Sequence, residues 1–177
     1  MAGSTAIKQR NPTLTLQRPS TAHGASIRRL VSECAPLDVN STYAYLLLCE
    51  HFADTCVHAT LAGRTLGFLS AYTPPGRDSV LFVWQVAVAA EVRGQGLAKA
   101  LLLNLLSRER LRKCTYLETT VSPSNAPSRA LFYSLARRLQ APIVEKPFFL
   151  EAHFEKESHE SETLISIGPF LGAGTKL

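Results

Sequence analysis

A glycine-containing segment between two apolar runs has residue types that could bind a phosphate group. Arg93, Gly94 and Gly96 lie between an apolar run at 81–88 and a leucine-rich run at 97–106. A strand, a glycine turn and a helix leave backbone N–H groups unpaired at the helix start, where the macrodipole adds partial positive charge. Because glycine has no side chain, a ligand can approach this backbone closely. The segment therefore predicts a binding site for a phosphate or a diphosphate.

Three glycine patterns compete for this segment, and their spacing separates them. No glycine pair has the spacing of a nucleoside-triphosphate loop, and Lys99 stands where a dinucleotide fingerprint needs its third glycine. Arg93, Gly96 and Ala98 instead fit the pattern Arg/Gln-x-x-Gly-x-Gly/Ala. This segment resembles the acyl-coenzyme A pyrophosphate loop of the GCN5-related N-acetyltransferase (GNAT) family. An ordinary strand-to-helix turn that binds nothing is the alternative.

A second segment downstream strengthens the resemblance. Residues 115–121 predict a strand, 122–125 a Ser-Asn turn and 127–139 an amphipathic helix, in the order of the second half of the GNAT core. The resemblance implies an α/β (α+β mixed) fold, with a central mixed, mostly antiparallel sheet. It also implies that two neighbouring strands of this sheet splay apart, and that helices cover both faces.

The resemblance further implies acetyl-coenzyme A as the co-substrate, with no metal. In the family, the pantetheine arm bonds to the backbone of the first splayed strand, and the diphosphate lies on the glycine loop. The residues of this sequence that the resemblance implies as cofactor contacts are Gln85, Val86, Val88, Arg93, Gly94, Gln95, Gly96, Leu97, Ala98, Asn125 and Ser128.

Periodicity and turn residues predict the elements that position these segments. A short strand at 13–17 precedes a helix from Ser20 or Thr21 to about residue 34, and a second helix covers 42–51. A hairpin covers 55–72, and further strands are expected near the C-terminal end. We expect one domain over residues 13–170, between a disordered leader at 1–12 and a flexible tail at 171–177.

Composition excludes several classes of function. The 177 residues are 46% hydrophobic and 19% charged with a net charge of +5, which is typical of a globular protein. The basic residues are dispersed and are not interleaved with aromatic ones, so we expect no nucleic-acid partner. No apolar run approaches 18 residues, so we expect no membrane partner. Cys34, Cys49, Cys56 and Cys114 form no C-x-x-C pair and predict reduced thiols in a cytoplasmic protein.

A closer resemblance indicates the acceptor. Residues 36–48, 82–88 and 117–125 are similar to the diaminobutyrate N4-acetyltransferases, a group within the GNAT family that acts in ectoine biosynthesis. This similarity implies L-2,4-diaminobutyrate as the acceptor, acetylation of its 4-amino group and a homodimer. The alternatives are another small amine or a protein N-terminus as acceptor, and a non-catalytic acyl-coenzyme A-binding domain.

Such an acceptor has two ammonium groups and a carboxylate, and these define the side chains that a site requires. Asp38, in a loop beside two tyrosines, is our first candidate for an ammonium anchor, although it could instead cap a turn. Trp84 lies on the cofactor strand and could attract an ammonium group through its ring, or could be a core residue. Glu118 could orient the amine or serve as a structural partner. The full set of expected acceptor contacts is Asp38, Asn40, Tyr43, Tyr45, Trp84, Glu118 and His153.

The expected chemistry is direct transfer in a ternary complex. An amine with a pKa near 10 needs about 4 kcal/mol to lose its proton at pH 7, whereas a correct attack geometry contributes roughly 7–11 kcal/mol. A modest base, such as a carboxylate acting through water, is therefore sufficient. In many relatives a tyrosine protonates the leaving thiolate, but this sequence has Phe132 at that position and Tyr133 beside it. We assign catalytic roles to Trp84, Glu118 and Tyr133 as hypotheses.

Overall fold

One seven-stranded sheet forms the centre of the computed structural model, which describes residues 13–154 and 159–171. The strands are β1 (Thr15–Gln17), β2 (Val57–Leu61), β3 (Arg64–Tyr72), β4 (Val80–Val88), β5 (Tyr116–Val121), β6 (Ile143–Phe149) and β7 (Glu162–Ile167). The α-helices are α1 (Gly24–Ser32), α2 (Thr42–His51), α3 (Leu97–Leu106) and α4 (Ala126–Leu139). The predicted leader and nearly all of the predicted tail lie outside the described residues.

The sheet order is β1-β2-β3-β4-β5-β7-β6. Every neighbouring pair is antiparallel except β4 and β5, which are parallel. Parallel neighbours need a crossover, and the chain makes it through α3. The predicted mixed, mostly antiparallel sheet is therefore confirmed.

Helices cover both faces of this sheet. A Cβ atom on Gly67 of β3 would contact Leu97 and Leu101 of α3 at 3.2–3.3 Å. The next residue, Phe68, packs edge-on against Tyr45 of α2, with ring centroids 6.3 Å apart. Because successive side chains of a strand alternate between faces, α2 and α3 lie on opposite sides. The absence of a side chain at Gly67 lets α3 pack closely against β3.

The first predicted helix is shorter than expected. It opens with a 3₁₀ turn at Thr21–His23 and continues as α1 to Ser32 instead of reaching residue 34. Gly24 is the first residue of α1. A Cβ atom there would lie 2.8 Å from Cδ2 of Leu46, so glycine permits close packing of α1 on α2.

The four cysteines are free and buried. Burial raises the pKa of the Cys49 thiol to about 11 and that of Cys56 to about 12. Thiols of this kind remain protonated at neutral pH and pack as small apolar groups. Within the described ranges, no helix combines the length and the apolar character that crossing a bilayer requires.

Candidate active site

Strands β4 and β5 separate part-way along their length. Val80–Val83 of β4 pair with Tyr116–Thr119 of β5, and the pairing stops there. Beyond this point β4 remains paired with β3 on its other edge as far as Val88, while β5 remains paired with β7. In the described part of the chain, the edge of β4 from Trp84 onward therefore has no partner strand. We call this opening the notch, and its backbone N–H and C=O groups are available to a ligand.

A β-bulge marks the point where the two strands part. Ser70 of β3 pairs with Gln85, and the next residue, Ala71, pairs with Val83, so Trp84 is the extra residue. Such a bulge bends the strand and increases its twist. The Trp84 side chain is 45% exposed at this bend. The sequence thus provides both the opening and an aromatic wall beside it.

The glycine loop leads from the end of β4 into α3. Gly94 and Gly96 have φ angles of +75° and +82°, and Gly96 is the N-cap of the helix. The first amide that bonds back into the helix is that of Ala100, at 3.0 Å from the Gly96 carbonyl. The preceding amides of the first turn have no acceptor one turn back, and the loop is exposed. This geometry suits an anion such as a diphosphate.

Two side chains hold the loop against the chain that precedes it. The Arg93 Nε–H donates to the Val88 carbonyl at 3.0 Å, and the Gln95 amide donates to the Glu91 carbonyl at 3.1 Å. The loop is therefore fixed next to the end of β4. The anion site and the notch consequently lie along a single strand.

The notch opens into a cleft of about 470 Å³. It extends from the loop between α1 and α2 (residues 33–41, the α1–α2 loop), on one face of the sheet, to α4 on the other. Its lining residues are Pro36, Leu37, Asp38, Asn40, Val83, Trp84, Gln85, Val86, Thr119, Thr120, Val121, Ser122, Ser124, Asn125, Ser128, Phe132, Phe149, Phe154, His159, Glu160 and Glu162.

The start of α4 forms one wall of this cleft. The Asn125 side chain accepts a hydrogen bond from the Ser128 amide at 3.2 Å and thereby caps the helix. Phe132, one turn further along, is buried and contributes an apolar surface. This wall has polar groups at the helix end and apolar groups deeper in the cleft.

A second cluster, formed by Asp38, His159 and Glu162, occupies the opposite wall; we call it the carboxylate cluster. His159 Nδ1 lies 2.7 Å from the Glu160 carbonyl oxygen, which can only accept, so Nδ1 must carry the proton. Nε2 is then an acceptor in the neutral ring, 3.9 Å from Asp38 Oδ2 and 3.8 Å from Glu162 Oε1. The Phe154 ring stacks on His159 with centroids 4.0 Å apart. With a neutral ring, Nε2 and the two carboxylates are three acceptors on this wall of the cleft.

Glu162 gives this cluster its electrostatic character. Its Oε2 atom is buried and has no hydrogen-bond partner among the described residues. Burial raises the pKa of this carboxyl group and outweighs the lowering effects of a hydrogen bond from Thr120 and of His159, while the nearby Asp38 and Glu160 charges add to the increase. Ionising a carboxyl group whose pKa is raised by burial destabilises the fold, and a bound cation offsets that cost. The arrangement is therefore suited to receive an ammonium group.

Comparison with known proteins agrees with this geometry. The model of the Acetyltransferase (GNAT) family matches residues 25–136. The chain is 51% identical over 156 residues to the L-2,4-diaminobutyric acid acetyltransferase of Bordetella parapertussis, covering 88% of this chain and 84% of that protein. The chain belongs to the GNAT family, among the L-2,4-diaminobutyric acid acetyltransferases. The enzyme of that name from Methylotuvimicrobium alcaliphilum is 42% identical, over 90% of this chain and 92% of its own length.

Solved structures give the same result. The diaminobutyrate acetyltransferase EctA from Paenibacillus lautus, in complex with its substrate L-2,4-diaminobutyric acid and coenzyme A, has a TM-score of 0.87 and 39% identity. The match covers 90% of this chain and 96% of that one. Ard1 from Thermoplasma volcanium, at 18% identity and a TM-score of 0.68, shares the fold. The GNAT fold expected from the sequence is confirmed.

The residues expected to bind the cofactor lie around the notch and the glycine loop. Gln85 and Val86 line the cleft from β4, and Val88 ends that strand. Asn125 and Ser128 face them from the start of α4. The remaining expected contacts form the exposed loop and the first turn of α3: Arg93, Gly94, Gln95, Gly96, Leu97 and Ala98. In the described residues no group of three side chains could hold a metal ion.

Some of the residues expected to bind the acceptor line the cleft, and others do not. Asp38, Asn40 and Trp84 line the cleft. Tyr45 is fully buried behind it, and Tyr43, on another face of α2, is 68% exposed and does not line the cleft. A helix turns about 200° over two residues, which explains why only one of the two tyrosines faces the sheet.

Three further candidates lie outside the cleft lining. Glu118 is buried and accepts two hydrogen bonds from Arg77, at 2.7 and 2.9 Å, so its charge is already paired. The Tyr133 hydroxyl donates to Glu145 at 2.8 Å, and this bond raises the pKa of the phenol. His153 accepts from the Leu150 amide through Nδ1 at 3.1 Å. These contacts indicate structural roles for all three side chains.

Sequence reasoning missed the C-terminal half of the carboxylate cluster. His159, Glu160 and Glu162 are absent from the expected site residues, yet all three line the cleft beside Phe154. Glu162 is the first residue of β7, and alternation along 162–167 would have assigned it to the same sheet face as Leu164 and Ser166. The position of β7 beside β5 depends on long-range pairing, which one sequence does not reveal.

We expect Glu162→Gln to stabilise the unliganded protein at neutral pH. Burial raises the folded-state pKa of Glu162, so ionising this group destabilises the folded protein. This destabilisation is absent below the unfolded-state pKa and complete above the folded-state pKa. Thermal unfolding should therefore give a higher Tm for the variant at pH 7.5, by about 2–4 °C per 1 kcal/mol relieved, and no difference near pH 4.

Glu160→Gln is the matched control for this measurement. A hydrogen bond from Ser124 lowers the pKa of Glu160, so its ionised form stabilises the fold and its loss should lower the Tm at neutral pH. Equal effects of the two substitutions would show that Glu162 is not a strained carboxylate.

Proposed function

We propose that this protein transfers the acetyl group of acetyl-coenzyme A to the 4-amino group of L-2,4-diaminobutyrate. The observation that supports this proposal is that two sites lie on either side of the notch, one suited to an anion and the other to a cation. The amides at the start of α3 favour an anion, and the carboxylate cluster favours a cation. Between them, the free edge of β4 offers hydrogen-bonding groups to an extended ligand.

The donor occupies the glycine loop and the edge of β4. The amides from Gln95 to Ala98 bind the diphosphate, and the pantetheine arm bonds to the backbone of Gln85, Val86 and Val88. Asn125 and Ser128 border the arm from α4. Backbone N–H groups beside the bulge polarise the thioester carbonyl and stabilise the oxyanion that forms during attack.

The acceptor lies between Trp84 and the carboxylate cluster. Asp38 and Glu162 bind the α-ammonium group, and His159 accepts a further hydrogen bond through Nε2. The Trp84 ring forms the wall beside the bulge and attracts the cationic substrate through its face. The Asn40 side chain and the Trp84 indole N–H are donors available to the α-carboxylate. This arrangement leaves the 4-amino group to reach the thioester.

Reaction requires that the 4-amino group lose its proton before it attacks. The deprotonation costs about 4 kcal/mol at pH 7 for an amine with a pKa near 10. Positioning two bound reactants contributes roughly 7–11 kcal/mol, which exceeds that cost, so a water molecule in the cleft suffices as the proton acceptor. Attack then forms the tetrahedral intermediate, whose nitrogen gives up its second proton to water. Collapse of the intermediate expels the coenzyme A thiolate and leaves the neutral amide.

The leaving thiolate receives its proton from solvent. Phe132, which has no proton to donate, occupies the wall of the cleft near the start of α4. The Tyr133 hydroxyl donates to Glu145, and this bond raises its pKa, so it is a poor acid. A thiol with a pKa near 8.5 leaves as a thiolate at modest cost, so no protein acid is needed.

The product, N4-acetyl-L-2,4-diaminobutyrate, is an intermediate in the biosynthesis of ectoine, a solute made under osmotic stress. We place the protein in the cytoplasm, as the free buried cysteines suggest. We further propose a homodimer. The strand β6 is an edge of the described sheet with exposed apolar side chains, which favours association. Sedimentation velocity at micromolar concentration tests this, and a monomer would contradict it.

The decisive experiment is an acetyl-transfer assay with purified protein. Coenzyme A release should depend on L-2,4-diaminobutyrate, and NMR should locate the new acetyl group on N4. 4-Aminobutyrate lacks the α-ammonium group, so its kcat/KM should be lower by about 10- to 100-fold. Equal rates with unrelated amines or with a peptide N-terminus would contradict the acceptor. Cofactor binding without any turnover would contradict catalysis.

Neutral replacements in the carboxylate cluster should weaken acceptor binding selectively. A hydrogen bond to a charged group contributes about 1.5–3 kcal/mol, so KM for the diamine should rise about 10-fold in Asp38→Asn and about 100-fold in the more buried Glu162→Gln. KM for acetyl-coenzyme A should stay within about twofold in both variants. Asp78→Asn, in the exposed β3–β4 loop, is the control, and an equal effect there would exclude a specific role.

Gly96→Ala should weaken cofactor binding. A residue with a side chain at a φ of +82° costs about 1–2 kcal/mol, and the loop must relax away from the geometry that binds the diphosphate. Calorimetry should show at least a tenfold higher Kd for acetyl-coenzyme A. Gly63→Ala is matched in φ, at +77°, but lies in the β2–β3 turn, so it should leave Kd unchanged. Equal Kd values for the two variants would contradict the loop assignment.

A further inference from the structure

The α1–α2 loop brings Asp38 and Asn40 to the cleft without any regular secondary structure. Irregular backbone has few internal hydrogen bonds to fix it, so its position depends on contacts with neighbouring elements. At its start, the Leu37 amide bonds to the Cys34 carbonyl at 3.0 Å. The segment from 38 to 40 is held instead by side chains from α1, α2 and β4, including Arg28, whose Nε–H donates to the Asn40 carbonyl at 3.3 Å.

Two buried side chains connect this segment to the strand that borders the notch. The Gln85 amide nitrogen donates to the Asp38 carbonyl at 2.8 Å. The Tyr45 hydroxyl donates to Gln85 Oε1 at 3.3 Å and accepts from the Asn40 amide at 3.4 Å. The chain of bonds therefore begins and ends on the α1–α2 loop, at Asn40 and Asp38. We call it the Tyr45–Gln85 relay.

The direction of the relay is fixed by the groups at its ends. A backbone carbonyl can only accept and a backbone N–H can only donate. The Gln85 nitrogen must therefore face Asp38, which turns its oxygen toward Tyr45. The Tyr45 hydroxyl must then give its proton to Gln85, which leaves its oxygen free to accept from Asn40. A side chain without both a donor and an acceptor at position 85 cannot complete this arrangement.

The surroundings make the relay rigid. Tyr45 is fully buried and packs edge-on against Phe68, and Gln85 is 4% exposed. Gln85 follows the bulge residue Trp84 and precedes Val86, and all three line the cleft. Buried polar groups without partners cost far more than exposed ones, so the relay has little freedom to rearrange.

We propose that Tyr45 and Gln85 are positioning residues that hold Asp38 and Asn40 in register with the donor strand. The relay fixes the distance between the ammonium site and the thioester, and with it the selection of a diamine of suitable length. This inference rests on the proposed function. The role belongs to the Gln85 side chain, whereas the donor uses its backbone, so acceptor and donor binding respond differently when the side chain changes.

The test compares Gln85→Met and Tyr45→Phe, which preserve size while removing one part of the relay each. A 1 Å displacement of a positioning group can cost about 100-fold in rate. We expect KM for the diamine to rise about tenfold in Tyr45→Phe, whose bonds are long, and more in Gln85→Met, which loses the 2.8 Å bond. The ratio of kcat/KM for diaminobutyrate to that for a diamine one methylene longer should fall in both variants. KM for acetyl-coenzyme A should stay within about twofold.

Tyr72→Phe is the control, because it removes a tyrosine hydroxyl at the end of β3, outside the cleft lining, and should leave both KM values unchanged. A merely structural role for the relay predicts a lower Tm with parallel changes in both KM values, or no change in the diamine KM. Either result would overturn the inference.

A second measurement does not depend on the identity of the acceptor. The Asn40 amide proton is protected by its bond to Tyr45, so hydrogen exchange at Asn40 should be faster in Tyr45→Phe than in the wild type, and unchanged in Tyr72→Phe. If the wild type fails to acetylate diaminobutyrate while Asn40 exchange responds as expected, the proposed function fails and the relay stands. If the wild type is active and Asn40 exchange does not change, the relay fails alone.

Discussion

The separation of β4 from β5 after four residue pairs is the feature on which the rest of the structure depends. A sheet normally pairs every interior backbone group, because an unpaired buried group costs about 1–3 kcal/mol. Here the interior of the sheet contains an opening instead, at the point where the Trp84 bulge bends β4. Neighbouring elements complete its walls: the α1–α2 loop on one face, α4 on the other and β7 behind β5. The opening is stable because the flanking pairs of β3 with β4 and of β5 with β7 continue past it.

The two sides of this opening favour ligand groups of opposite charge, so a ligand with both kinds of group can bind in one orientation. Backbone dipoles at the start of α3 favour an anion independently of any group that titrates near neutral pH, so this preference persists over a wide range of pH. The cation site depends on carboxylates, one of which is buried at a cost to the fold. The role that we propose for Glu162 therefore conflicts with stability, as is common at ligand sites. The Tyr45–Gln85 relay connects the wall that contains Asp38 to β4, the strand that we propose binds the donor.

Local patterns in the sequence predicted the fold, whereas features that depend on distant contacts were not predicted. The glycine loop, the strand that precedes it and the Ser-Asn turn of α4 each lie within about ten residues, so their pattern was sufficient to predict the fold and acetyl-coenzyme A as the co-substrate. Asp38, Asn40 and Trp84 were selected by residue type and resemblance, and they line the cleft. Glu118 and Tyr133 were plausible by type, but Arg77 and Glu145 bind them from other elements. The contributions of His159 and Glu162 depend on the pairing of β7 with β5, which no local pattern encodes.

The burial of all four cysteines bears on how the protein can be handled. With a pKa of about 11 for Cys49 and about 12 for Cys56, the reactive thiolate form of these side chains is scarce at neutral pH. Colorimetric thiol reagents will therefore respond to free coenzyme A and scarcely to the folded polypeptide, giving a low background. For the same reason, alkylating agents and mild oxidants should leave the native protein intact, so reducing agents that interfere with such dyes can be omitted.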